Sequence, residues 1–168
     1  MSWKTKLTVA LSLALVLAAG ALPGPAAAAG YPGLEGVREV RILFDFRDAS
    51  PSSALGHLEL AHQTFRDPAV AQADAEPEMV VVFMGPSVKM LVSDPQGFSA
   101  AEKKTIAKIA RRLRAMADDG ITLEICMVAA GFFKLDPDKL LPVLQRVHNG
   151  WISSAGYQAQ GYSLVPSF

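Results

Sequence analysis

The chain has 168 residues, with 16 basic and 16 acidic side chains, a formal net charge of +0 at pH 7, and 51% hydrophobic residues. That balance argues against a nucleic-acid surface, which needs a basic stripe; the one basic cluster, Arg111, Arg112 and Arg114 with Lys103, Lys104 and Lys108, reads as a solvated helix face. The single cysteine, Cys126, excludes an intramolecular disulfide.

The chain opens with MSWKTK, two lysines and no acid, followed by the apolar run LTVALSLALVLAAGAL and then PGPAAAA. A basic start, a short apolar core and small residues satisfying A-x-A describe an export signal, predicted to be cleaved after Ala29. The alternative is a retained anchor, but the run is short of the ~20 residues of a spanning helix. No cysteine lies there to take a lipid, and no twin arginine precedes the run. Residues 1–29 are thus expected to be a signal peptide. Residues 30–168 are expected to form a single exported domain with no membrane segment after cleavage, carrying 14 basic against 16 acidic side chains.

Within that domain VRILFDF (40–46) predicts a strand, and Ser50-Pro51 predicts a serine-capped helix start with Leu55, Leu58, His62 and Phe65 on one face. Residues 67–77, rich in Ala, Asp, Glu and Pro, read as a connection. MVVVFM (79–84) is a continuous apolar run between Pro77 and Gly85-Pro86, the pattern of a strand buried on both faces. A short helix is expected over 87–92 and a turn at Asp94-Pro95-Gln96-Gly97.

Ser99 with Glu102 forms a capping box, behind which Ile106, Ile109, Ala110, Leu113 and Met116 make an apolar stripe ending at Asp119-Gly120. Residues 121–128 predict a strand leading into Ala129-Ala130-Gly131. Asp136-Pro137 predicts a short helix, 149–160 a last helix ended by Gly161, and 162–165 a final strand.

Strands alternating with helices predict a three-layer α/β/α fold with a mainly parallel sheet of about five strands, flavodoxin-like in appearance. In such sheets ligands gather beyond the carboxyl ends of the strands, here the loops after Phe46, Met84 and Met127. Cys126 lies at the last of these.

Strand alternation puts Cys126 on one face with Thr122, Glu124 and Val128. A following helix N-terminus favours a thiolate, whereas Glu124, roughly 6.6 Å back at ~3.3 Å per residue, opposes it. From these features a reactive and a packed structural cysteine are both open.

The stretch GITLEICMVAA (120–130) resembles the DsrE/TusD family of sulfur-relay proteins, in which a cysteine at a strand end carries sulfur as a persulfide. FDF (44–46) with its serine-capped helix, VVVFMGP (80–86), NGWIS (149–153) and GYQAQGYSLVP (156–166) are similar to exported members. The resemblance implies a compact parallel α/β domain assembled into trimers or hexamers. It carries the family's functional cysteine onto Cys126 and implies a sulfur donor or acceptor protein as partner.

Around Cys126 the candidate rim is Gly85, beginning a loop that can present N–H groups; His148 with Asn149, where His148 is either solvated or a proton donor or thiolate partner beside the cysteine loop; and Asp45, an acid in an apolar strand that is either hydrogen-bonded to the following loop, the favoured structural role, or part of the rim. His57 and His62 are five apart, do not stack and lack a ligand set, so no metal site is expected. No cofactor is expected either: neither G-x-G-x-x-G nor G-x-x-x-x-G-K-[ST] occurs. Ser50, Ser52 and Ser53 lack a nucleophile elbow. Trp151, Tyr157 and Tyr162 read as core or subunit contact. Two functions follow: a sulfur carrier or sulfurtransferase subunit, or a non-catalytic oligomeric binding or assembly module around a buried cysteine.

Overall fold

The computed structural model describes residues 30–71 and 76–168; the expected signal segment lies outside the described residues. Five strands form one sheet: β1 (Arg41–Phe46), β2 (Glu78–Phe83), β3 (Thr122–Cys126), β4 (Gln145–Val147) and β5 (Ser163–Ser167). Their order is β4-β3-β2-β1-β5, and all four pairings are parallel. Between them run α1 (Pro51–Phe65), α2 (Pro68–Ala71), α3 (Ala100–Asp118), α4 (Met127–Phe132) and α5 (Gly150–Ala159).

Residue type explains the layering. The central strand β2 is buried at every position after Glu78, because both of its faces are covered. One face carries Phe46, Met79, Val81, Phe83, Leu123 and Ile125 against the apolar sides of α1 and α3. Phe46 and Phe83 meet there with ring centroids 5.1 Å apart at 59°, a contact worth about 0.5–1.5 kcal/mol beyond the buried area. The other face, Leu43, Val80, Val82, Met84 and Cys126, packs with Ala129, Tyr157 and Tyr162 beneath α5.

Helix α3 begins at the expected box: Ser99 Oγ accepts from the Glu102 N–H (3.3 Å), and the Glu102 carboxylate accepts from the Ser99 N–H (2.8 Å). Helix α1 starts differently. Ser50 occupies the cap position, yet its hydroxyl pairs with that of Ser52 (3.0 Å) and makes no cap bond, so Pro51 alone marks the start.

Other expectations shift. The run after 121 is a strand only to Cys126, and Met127 and Val128 already belong to α4. The connection over 67–77 contains α2, and the short helix after β2 is a 3-10 segment over Gly85–Met90. Strand β4 is polar and was not expected.

Arg112 is not simply solvated. It donates to Nδ1 of buried His62 (3.1 Å) and pairs with Glu59 (3.5 Å), while His62 Nε2 meets Asp119 at 2.7 Å. Since arginine only donates, His62 accepts at Nδ1 and gives its Nε2 proton to Asp119, joining α1 to the end of α3.

Just past β1, Asp48 is buried and accepts from Ser53 Oγ (2.6 Å) and Ser167 Oγ (2.8 Å), with His57 Nδ1 at 2.8 Å. Burial pushes its carboxyl up, but the three hydrogen bonds outweigh that and hold it below the ordinary carboxylate value. These contacts pin β5 to the β1–α1 loop. Among the described residues no helix is long and apolar enough to cross a membrane.

Candidate functional site

Four strand ends meet at one edge of the sheet and supply Arg47 after β1, Met84 and Gly85 after β2, Cys126 closing β3, and Asn149 after β4. Cys126 is both the last residue of β3 and the N-cap of α4, with φ −72 and ψ 112. It pairs in register with Val147, and two residues later the Val128 N–H donates to the His148 carbonyl (3.1 Å), which ties the cysteine loop to the end of β4.

Helix α5 is pressed onto the same spot. The Asn149 side chain caps it by accepting from the Trp151 N–H (2.9 Å). Gly150 is buried so tightly that a Cβ there would lie 2.6 Å from Met84 Sδ and 3.0 Å from Cys126 Cβ. A side chain there would make either Met84 or α5 shift. The N-terminus of a ten-residue helix is thereby brought against the cysteine.

Two residues earlier on the same face, Glu124 is buried and accepts from Tyr157 Oη (2.8 Å) and from Ser153 Oγ, both on α5. Burial first, then the hydrogen bond and charge of Glu124, push the Tyr157 phenol up to about 12. A carboxylate and a glycine contact thus fasten α5 across β3.

Asp45 makes two hydrogen bonds with Arg47, at 2.7 and 2.9 Å. The Arg47 guanidinium is held above its ordinary value mainly by that bond; burial opposes, while the charges of Asp45 and of Cys126 add to it. Arg47 therefore stands within electrostatic reach of the sulfur.

Cys126 is 5% exposed, and a cleft of about 320 Å³ adjoins it. Its apolar walls are Met84, Val128, Ala129, Phe132, Phe133 and Trp151; Arg47, Gly85 and Asn149 complete it. Of the expected rim, Gly85 and Asn149 line the cleft. Asp45 stands behind Arg47 without lining it, and His148 is exposed outside it, contributing only its carbonyl. Trp151, expected in core or subunit contact, is 68% exposed at the mouth.

Sequence reasoning did not single out Arg47, Phe132, Phe133 or Gly150. The signal for Gly150 was its place directly after a helix-capping asparagine. For Phe132-Phe133 it was an aromatic pair one helical stretch beyond the cysteine.

The molecule is a parallel α/β domain that presents one cysteine in a cleft at the carboxyl edge of its sheet. It belongs to the DsrE/DsrF-like family, whose family model matches residues 53–166. No curated protein matches the chain. Among solved structures it is similar in fold to MTH1491 of Methanobacterium thermoautotrophicum, a protein of unknown function (TM-score 0.55, 16% identity, covering 76% of this chain and 99% of that one). It is also similar to the E. coli protein YchN (TM-score 0.51, 14% identity, covering 77% and 99%).

Proposed function

We propose that the protein is a sulfur carrier, or a sulfurtransferase subunit, that holds sulfane sulfur as a persulfide on Cys126. The observation that carries this reading is the cleft: the only cysteine of the chain sits at a strand end with a pocket beside its side chain. Its thiolate accepts a sulfur from a donor, and the outer sulfur of the resulting persulfide passes to the thiol of an acceptor. Membership of the DsrE/DsrF-like family supports the same chemistry.

The proposal includes export with loss of residues 1–29, a periplasmic place of work, and self-association as a trimer or hexamer. Leu60, Leu164, Val165 and Phe168, apolar and exposed on α1 and around the edge strand β5, support the last.

The 5% exposure of Cys126 favours a second reading, an assembly module in which the thiol is only packing. One experiment separates them. The native protein and Cys126→Ser are treated with polysulfide, and intact masses are compared. The carrier gains one sulfur on Cys126 and the variant none. A thiol that takes up neither sulfur nor a small alkylating reagent until the protein is denatured establishes the packing role.

A further inference from the structure

We propose that the donor accepted at Cys126 is a small organic persulfide, R–S–SH, with an uncharged apolar body, in preference to thiosulfate or a highly charged persulfide; this rests on the carrier reading above.

Access decides first. With Cys126 only 5% exposed, a donor must bring its outer sulfur into the cleft, and the rest of the molecule then lies against the walls. Those walls include Phe132, Phe133 and Trp151, of which Phe132 and Trp151 are 79% and 68% exposed, so their ring surfaces are free to be covered. Met84 adds a polarisable thioether beside Cys126. A cleft of about 320 Å³ suits a body the size of one ring.

Charge decides next. Among the described residues Arg47 is the only charged side chain lining the cleft, and Asp45 already matches it through two hydrogen bonds. Once Cys126 is a thiolate, the group formed by Asp45, Arg47 and Cys126 carries net negative charge, because Asp45 behind the wall already balances Arg47. A dianion such as thiosulfate would lose hydration against hydrocarbon with no spare cation to meet it, and a donor with several charges meets the same barrier. A neutral ring loses nothing of the kind.

The transfer balances without a further reactant. The Cys126 thiolate attacks the outer sulfur of R–S–SH, a new S–S bond forms to Cys126 Sγ, and the donor's own S–S bond breaks. The leaving R–S⁻ keeps the bond's electron pair and takes the proton of the transferred sulfur, giving Cys126–S–S⁻ and R–SH.

The test compares benzyl hydropersulfide, glutathione hydropersulfide and thiosulfate as donors to the native protein. Sulfur gain on Cys126 is followed by intact mass, and each rate is divided by the rate of the same donor with N-acetylcysteine. The benzyl donor is expected to exceed the glutathione donor by about tenfold or more. The Phe132→Ala/Trp151→Ala double variant should lose most of that preference while keeping its thermal unfolding midpoint, since both rings are exposed.

Equal or reversed normalised rates, thiosulfate loading as fast as the benzyl donor, or an undiminished preference in the double variant would overturn the donor class and leave the carrier reading intact. No sulfur gained from any donor would overturn the carrier reading, and the donor class with it.

Discussion

Gly150 and Cys126 touch so closely that one added carbon on the glycine would sit 3.0 Å from the cysteine Cβ. The contact joins the start of α5 to the end of β3, so the position of the helix relative to the sulfur depends on the absence of a side chain.

Gly150→Ala tests this. The methyl meets Met84 as well, at 2.6 Å from Sδ, and overpacking of this kind costs about 1–3 kcal/mol. A lower urea midpoint with an unchanged slope is expected, together with an altered rate of native Cys126 alkylation. If both quantities match those of the parent, Met84 has absorbed the methyl and α5 has not moved.

Asp48 predicts an acid limb of stability. Its carboxyl is held below the ordinary carboxylate value by His57, Ser53 and Ser167 against the opposing effect of burial. Its stabilisation is therefore present above the ordinary value and lost as pH falls through the depressed one. Asp48→Asn should unfold more readily than the parent near neutral pH, by about 1–3 kcal/mol for disrupted buried hydrogen bonds. The gap should close in acid. Thermal midpoints of the two proteins across pH provide the check, and a gap that persists unchanged into strong acid would show that the carboxylate charge is not what matters.

Tyr157 predicts an alkaline limb of opposite sign. Burial and Glu124 raise its phenol to about 12, so the group stabilises the fold fully below its ordinary value of 10.0 and ceases to do so as pH rises through about 12. Tyr157→Phe leaves the buried Glu124 with one fewer donor and should cost about 1–3 kcal/mol at neutral pH. The phenolate absorbance of the folded parent should contain a late-titrating component that this variant lacks. A component lost in the variant that titrates at the ordinary tyrosine value of 10.0 would contradict the Glu124 contact.

The parallel sheet was legible because its inner strands have no exposed face. MVVVFM can hardly be anything but a doubly covered strand, and Ser99 with Glu102 marks a helix start by chemistry that acts within one turn. Cys126 at a strand end was legible for the same reason. Strand β4 was not, since QRV at a sheet edge buries little and so carries no apolar signature. The start of α4 was hidden because apolar residues continue from Ile125 through Ala130, so a change from period two to period 3.6 leaves no mark there. The pairing of Asp45 with Arg47, two apart on a chain leaving its strand, and the meeting of Phe132 with Trp151 around one cleft depend on tertiary placement, which periodicity does not encode.

The carbonyl of Ser167 accepts from the Arg47 N–H at 2.8 Å, while the Ser167 hydroxyl is held by Asp48. The outermost strand is therefore the backing plate of the residue that lends the cleft its cation. Anything that peels this border away, whether force, heat or a competing strand, would slacken the guanidinium before the central strands part, so damage at the rim would be felt as a change in what the sulfur meets.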